Sequence, residues 1–515
     1  MTFTNRSAAS HTVPCWVFLC ALAAVSVVSR LPQLLSPNLL LDGDECILGL
    51  MGRHVTQARD FPVFFYGQNY GLAIVEAPAA AVSFLILGTG AVPLKLAMLA
   101  LWIGGVAMYF LALSRPLGHT RSFWITLMLV LMPAWAVSSM KAWSGYITAF
   151  SAAAVVFYLM THLEKARSVR WLIAGGLTAV IYYSQPSWLP GLVPILLFFL
   201  VSNGRPSSWA VYGSGIAGMF FSIALMKMTL MPGAAESWTR PEAGNPDLFG
   251  SLPAVMKQVY VNLTGSYYLR TAVDPGPVTT IVAYLWLGVL AAVLLLQIYR
   301  LMARRYLLWS HLLCASVVAT LLANWLLLDA RDARYMLSMN VPLAFLAGIE
   351  FLACADRLRL SNRHRAAAIA LVLAIEGVSA TEFARFTYMW WRNPRNGPSE
   401  TATIEKVVGY MSARGARHAY SMNALLQWQI SFYSREAIVA RWTASADRYP
   451  AYIREVDRAL DTGEAVAVVG YVGFTNGLER LVRDPQAIVE IDGKYFVYFG
   501  ADKELLTRAR FRFAN

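Results

Sequence analysis

Three carboxylates fall within four positions near the N-terminus: Asp42, Asp44 and Glu45, in Leu41-Asp42-Gly43-Asp44-Glu45. The chain is 57% hydrophobic and only 14% charged, so the cluster stands out. Carboxylates held close together are groups that take a proton from a hydroxyl or bind a divalent cation. A helix beginning near Asp44 would place them at its positive N-terminus. The plain alternative is a capping cluster on an exposed loop. The polar, aromatic and glycine-rich run that follows contains Phe61-Pro62-Val63-Phe64-Phe65-Tyr66-Gly67-Gln68-Asn69-Tyr70-Gly71. Its aromatic faces and hydrogen-bonding groups, Tyr66, Gln68 and Tyr70 among them, suit a sugar ring; an interfacial aromatic belt is an equal alternative. The run ends at Glu76 inside an apolar stretch, Ala73-Ile74-Val75-Glu76-Ala77-Pro78. A carboxylate there is costly unless it faces a cavity or a partner. Its structural alternative is an ion pair with Arg53 or Lys141. A carboxylate-only divalent metal site at Asp42, Asp44 and Glu76 also stays open, and no other cofactor is implied.

Positive charge suited to an anionic substrate lies later in the chain. Asp329-Ala330-Arg331-Asp332-Ala333-Arg334-Tyr335 is a short loop between apolar runs. Arginine grips phosphate in a bidentate manner, against the alternative of Arg–Asp pairing within the loop. Lys141 is similarly placed, flanked by Trp143 and Tyr146. Trp238, Arg240, Tyr267, Tyr268 and Arg270 suit binding, but nothing singles them out. His162, His311 and His364 are lone histidines read as structural, and no Cys/His cluster suggests zinc.

The elements that must position these residues are membrane helices. Apolar runs of about 20 residues recur along the 515-residue chain, and such a run spans a bilayer core of roughly 30 Å. Only helices repeat that within one chain with their backbone groups satisfied. The net charge of +13 is no nucleic-acid signal, because the basic residues sit in short clusters between apolar runs. With Arg6, Arg115–Arg121, Lys165–Arg170, Arg205, Arg300–Arg305 and Arg357–Arg365 on the cytoplasmic side, about eleven spans result: 15–31, 93–113, 122–139, 146–163, 171–185, 188–202, 209–231, 278–299, 306–328, 336–354 and 366–386. The first is expected to be a retained helix, since no small-x-small cleavage site follows it. Leu72–Ala91 is apolar enough to cross, but counting it would invert every later loop. It is therefore expected to lie in the outer interface or to re-enter. Glu76 then stays on the side of Asp44, and the long outer loops, the first at 32–92, carry the chemistry. The five cysteines imply no disulfide framework.

After 390 the pattern changes. Asn393-Pro394-Arg395-Asn396-Gly397-Pro398 reads as a linker. Helical signals at Ile404–Arg414, Ala424–Ser434, Tyr449–Leu460 and Asn476–Arg483 alternate with strand signals at His418–Met422, Ala437–Arg441 and Ala465–Val472. Ile488–Ile491 and Tyr495–Phe499 flank Asp492-Gly493, a hairpin turn signal. The expected organisation is a transmembrane domain at 1–390 and a small soluble α/β domain at 391–515 on the outer side. No nucleotide loop, P-loop, zinc spacing or nucleophile elbow is present in the latter.

An Asp-Glu pair after the first helix, a non-spanning loop running through Tyr66-Gly67-Gln68-Asn69-Tyr70 to Glu76, and a late Arg334-Tyr335 before a span together resemble the GT-C glycosyltransferases that use polyprenyl-phosphate sugars. The likeness is to bacterial members akin to the family 39 protein mannosyltransferases and the lipid A aminoarabinose transferases. It covers roughly residues 1–390. It implies an α-helical polytopic membrane protein of GT-C type, in a bacterial inner membrane, with its active site and C-terminal domain extracytoplasmic. It implies Asp44 as general base with Glu45 beside it, Glu76 lining the donor or acceptor site, and Arg334 on the donor phosphate. One departure is that several relatives carry another acid in the second outer loop, where this chain has Lys141-Ala142-Trp143-Ser144-Gly145-Tyr146.

The implied partners are a polyprenyl-phosphate-linked sugar, a glycan, lipid or protein acceptor, and membrane lipid, with no nucleic acid. Arg331, Arg334 or Lys141 would stabilise charge on the leaving phosphate. Other readings are a transporter or flippase of lipid-linked saccharides, or a lipid-linked-glycan polymerase or ligase. Transporters usually show internal repeats and broken helices around midplane sites. No repeat is evident, and the acids cluster in an outer loop.

Overall fold

The computed structural model describes residues 13–35, 39, 41–162, 168–203, 205–230, 252–265, 276–305, 307–326, 333–359, 361–391, 400–445, 447–474, 478–482 and 484–513. Asp329, Arg331 and Asp332, the loop residues Trp238, Arg240, Tyr267, Tyr268 and Arg270, and the linker at 393–398 lie outside them.

The first part of the chain is helical: α1 (Cys15–Val28), α2 (Leu31–Leu34), α3 (Gly43–Thr56), α4 (Glu76–Leu87), α5 (Ala91–Leu117), α6 (His119–Leu131), α7 (Ala134–Ser138), α8 (Tyr146–Thr161), α9 (Ser168–Ser184), α10 (Leu189–Asn203), α11 (Pro206–Leu230), α12 (Leu252–Thr264), α13 (Pro277–Met302), α14 (Leu308–Leu326), α15 (Leu337–Arg357) and α16 (Asn362–Trp391). A helix falls at each of the eleven expected spans. Among the described residues, five are long and apolar enough to cross a membrane: α5, α11, α13, α14, and α15 with the 3-10 turn before it. The span expected at 122–139 is in fact two pieces, α6 and α7. Pro133 disfavours helical backbone at Met132, which is extended at φ −54°, ψ 130°. Leu72–Ala91 contains only the 12-residue α4, about 18 Å long and too short for a bilayer core. It packs between α3 and α5.

Small residues let the helices approach closely. A Cβ on Gly175 of α9 would lie 2.1 Å from the Tyr212 carbonyl of α11.

The C-terminal region follows as α17 (Glu400–Ala413), β1 (His418–Ser421), α18 (Leu426–Tyr433), β2 (Val439–Arg441), α19 (Pro450–Asp461), β3 (Val466–Tyr471), α20 (Leu478–Leu481), β4 (Val489–Ile491), β5 (Tyr495–Phe499) and α21 (Lys503–Arg508). The strand order is β2-β1-β3-β5-β4. β1 pairs in parallel with β2 and β3, while β5 pairs antiparallel with β3 and β4. The period of two along β3 sends Ala467 and Val469 to one face, where Ile404, Val407 and Met411 of α17 and Leu426 and Ile430 of α18 cover them. Val466 and Val468 face the other side with Val456 and Ala459 of α19. The Asp492-Gly493 turn closes the β4–β5 hairpin, with both residues at positive φ, 53° and 63°, as that turn requires. Residues 478–481 of the expected helix at 476–483 are helical, and α21 was not foreseen.

This α/β region sits on α3. A Cβ on Gly49 would fall 2.4 Å from the Phe432 ring of α18, so glycine there is what lets the two helices meet. The Gln429 amide donates to the Leu41 carbonyl at 2.9 Å.

Candidate active site

Helix α3 begins where it does because Asp42 caps it. The Asp42 backbone is extended, its Oδ1 accepts from the Glu45 amide at 2.9 Å, and Glu45 Oε2 accepts from the Asp42 amide at 3.4 Å. This reciprocal box satisfies two otherwise orphaned donors. It also sends the three acids of the first turn in different directions.

Glu45 points inward and is fully buried. Its Oε2 accepts from Lys141 Nζ at 2.7 Å, and its Oε1 from the Ala142 amide at 3.2 Å and from Lys95 Nζ. Lys141 is also buried, and its ammonium reaches Asp42 Oδ2 at 2.8 Å. A buried carboxylate is tolerated when paired and hydrogen-bonded in this way. Burial would raise the Asp42 pKa, but the charge and hydrogen bond of Lys141 bring it below the ordinary carboxylate value.

Asp44 is partly exposed at 31% of its side chain, as is Asp42 at 34%, and what separates them is their partner. Arg448, from the turn before α19, donates to its Oδ1 at 3.2 Å. Burial raises the Asp44 pKa; Arg448 opposes that rise, the charge of Asp42 adds to it, and Arg334 and Lys141 oppose it. A carboxylate held above its usual range is a better proton acceptor. Tyr70 is partly exposed and lies within electrostatic reach of Tyr335, Arg448, Arg334 and Asp44. The Arg334 guanidinium lies 5.3 Å from the Tyr335 ring and 5.8 Å from that of Trp143, and Lys141 Nζ lies 5.2 Å from the same Trp143 ring. Asp44, Tyr70, Arg334, Tyr335 and Arg448 thus gather on one surface. It is lined with cations and aromatic rings and suits a sugar carrying an anionic phosphate.

Glu76 lies elsewhere. It is fully buried, and its Oε1 accepts from the Gly145 amide, the Thr148 amide and the Thr148 hydroxyl, each at 3.0 Å. These donors form the N-terminus of α8, a favourable place for an acid. Burial nevertheless pushes the carboxyl up to about 7 against the hydrogen bonds of Thr148 and Gly145. Glu76 therefore ties α4 to the start of α8, and the alternative ion pairs with Arg53 or Lys141 do not form. Among the described residues no group of acids, histidines and cysteines could hold a metal ion. The set Asp42, Asp44 and Glu76 is not brought together, because Asp42 is committed to Lys141 and Glu76 to α8.

The Glu436 network lies at the far end of α3. Arg53 Nε, Arg59 Nη1 and the Tyr452 hydroxyl each donate to Glu436 at 2.8 Å, and His54 Nε2 lies 2.9 Å away. Arg435 and Glu436 both have positive φ, 51° and 60°, a conformation rare in side-chain-bearing residues. It turns Glu436 back toward α3. Tyr66 is buried in this network, donating to Asp60 at 2.9 Å, 2.7 Å from His54 Nδ1, and packed on Tyr449 at 4.6 Å.

No family model and no curated protein matches the sequence. Solved structures do resemble the fold. ArnT from Cupriavidus metallidurans, in its crystal structure bound to undecaprenyl phosphate, aligns over 95% of this chain and 98% of its own, with TM-score 0.62 and 14% identity. The oligosaccharyltransferase of Archaeoglobus fulgidus, in complex with Zn and sulfate, aligns over 90% of this chain and 69% of its own, with TM-score 0.55 and 12% identity. The fold is the GT-C fold.

Within this GT-C architecture the residues singled out from sequence divide into groups. Asp44, Tyr70, Arg334 and Tyr335 share the outward surface. Glu45 and Lys141 lie beneath it as a buried pair that fixes the first turn of α3. Tyr66 belongs to the α3–α19 contact, and Gln68 is half-buried, its backbone N–H donating to the Phe65 carbonyl at 3.0 Å. Arg448, Glu436 and Lys95 were missed. Lys95 carried a usable signal, a single charge inside an apolar span. Arg448 and Glu436 carried none, being ordinary charged residues far along the chain.

Proposed function

We propose that this chain is a multi-pass membrane glycosyltransferase of a bacterial inner membrane. In this reading it crosses the bilayer about eleven times and keeps a membrane domain at 1–390 and an α/β domain at 391–515 on the extracytoplasmic side. It moves a sugar from a polyprenyl-phosphate donor to a hydroxyl of a glycan, lipid or protein acceptor, inverting the anomeric carbon. The observation that carries the reading is Asp44. It is the one acid of its cluster whose hydrogen-bonded partner is an arginine rather than a lysine, it is partly exposed, and the charge of Arg334 and the phenol of Tyr70 lie within its electrostatic reach.

In the reaction, Asp44 accepts the proton of the acceptor hydroxyl as its oxygen bonds to the anomeric carbon. The bond from that carbon to the phosphate oxygen breaks, and the lipid phosphate leaves as a dianion. A phosphate monoester has a second pKa of about 6, so it departs with little help from a general acid. Positive charge aimed at its oxygens is the larger need, and Arg334 supplies it, with Arg331 from the same loop. Glu45, Lys141 and Lys95 hold Asp44 in place through the first turn of α3.

Support for the donor class comes from the fold, since ArnT was crystallised with undecaprenyl phosphate. The test is Asp44→Asn in purified protein reconstituted in nanodiscs, offered a panel of polyprenyl-phosphate hexoses and pentoses. Loss of a positioned general base lowers the rate by about 10²–10⁴-fold while expression and thermal stability persist. Transfer at the wild-type rate would remove Asp44 from this role.

A further inference from the structure

Asp44 and Arg448 are 404 positions apart, yet they form an ion pair on the surface where the donor is expected. The contact is built rather than incidental. Arg448 has only 13% of its side chain exposed, and its guanidinium lies 5.1 Å from the Phe65 ring of the first outer loop. The preceding residue, Asp447, is anchored by the Gln427 amide of α18 at 2.6 Å and by the Arg448 amide at 2.6 Å. The following residue, Tyr449, packs on Tyr66. The backbone on one side of Arg448 is therefore fixed to α18 and on the other to the loop after α3, which leaves exchange of partners to the side chain between them.

This arrangement poses a difficulty for the base. The guanidinium takes back part of the basicity that burial gives Asp44, because an ion pair favours the charged form. A phosphate entering the same surface is a competing partner, and arginine matches its geometry in a bidentate manner.

We propose that the C-terminal region contributes to the active site through Arg448, which holds Asp44 in the empty enzyme and transfers to the donor phosphate on binding, freeing Asp44 for the acceptor hydroxyl. The proposal rests on the donor class given above. Filling of the donor site and activation of the base then become one event. No covalent bond changes in this step: one ion pair is exchanged for another.

The test is equilibrium binding of undecaprenyl phosphate, and of neutral undecaprenol, to the full chain in nanodiscs. A charge-assisted hydrogen bond lost to the phosphate weakens binding about tenfold or more, so Arg448→Gln loses that much for undecaprenyl phosphate and nothing for undecaprenol. Arg448→Lys recovers part of it. Asp44→Asn, which removes the carboxylate that competes for Arg448, tightens undecaprenyl phosphate binding, and the gain vanishes in the Asp44→Asn/Arg448→Gln double variant. Arg414→Gln, at an exposed arginine of the same region, changes nothing. Equal affinities in wild type and Arg448→Gln would overturn the proposal, as would the same gain from Asp44→Asn with and without Arg448. Should Arg448→Gln fail to fold, Arg448→Lys with and without Asp44→Asn makes the same comparison. A wild-type protein that binds no undecaprenyl phosphate would instead refute the donor reading itself.

Discussion

Replacing Glu436 by glutamine tests what holds the C-terminal region on α3. Burial alone would raise the Glu436 carboxyl. The hydrogen bond and charge of His54, then Tyr452 and Arg53, instead bring it from 4.5 to about 2. At 1.36 kcal/mol per unit, that difference of about 2.5 units corresponds to about 3 kcal/mol of docking at neutral pH. Arg53 and Arg59 are 22% and 38% exposed, so solvent screening makes this an upper figure. Glutamine preserves the shape and leaves Arg53 and Arg59 without their shared anion. A loss of about 3 kcal/mol is about a hundredfold in the opening equilibrium, and amide exchange reads it directly. In nanodiscs at pH 7, amides of 426–433 and 450–461 should exchange about a hundredfold faster in Glu436→Gln, with α5 unchanged. Because the folded pKa is the lower one, the contribution is complete above about 4.5 and is lost as pH falls through about 2. The gap between variant and wild type should therefore close across that window. An exchange difference below threefold at pH 7, or a gap that stays constant with pH, would refute the assignment.

Two further outcomes follow from the same contacts. The Glu76 carboxyl titrates near about 7 in the fold against 4.5 ordinarily, so wild type binds an extra proton there and loses stability, up to ~3 kcal/mol, as pH rises from about 4.5 to about 7. Glu76→Gln stays neutral and should gain thermal stability relative to wild type between pH 5 and pH 8; a pH-independent difference would contradict this. Gly49→Ala sets a methyl against the Phe432 ring, an overpacking cost of about 1–3 kcal/mol. Limited proteolysis should cut α18 faster and transfer should fall with it, and an unchanged digestion pattern would count against α3–α18 packing as the anchor.

The local parts of this architecture were legible in the sequence. The helices at the expected spans, the alternation of β3 and the Asp492-Gly493 turn follow from periodicity and turn chemistry within a few residues. So does the start of α3, since Asp42 and Glu45 stand at the spacing of a capping box. The division of labour among the acids was not legible. Asp42, Asp44 and Glu45 are alike in chemistry, and only the folded positions of Lys95, Lys141 and Arg448 separate the carboxylate paired with arginine from the two held by lysine. Glu76 attracted attention because an acid in an apolar stretch needs a partner. That partner is a helix N-terminus, built from backbone amides that no residue type advertises. Arg448 and Glu436 act across a fold whose long-range pairing leaves no local pattern.

The pairing of Asp44 with Arg448 also bears on biosynthesis. Chains are made from the N-terminus, so α3 emerges early and its first-turn acids must wait. Glu45 gains its lysines only after residues 95 and 141 have been synthesised, and Asp44 meets Arg448, which is made 404 residues later. A nascent chain thus carries Asp44 long before its arginine exists. The order of synthesis keeps this surface unfinished until the α/β region folds back onto α3.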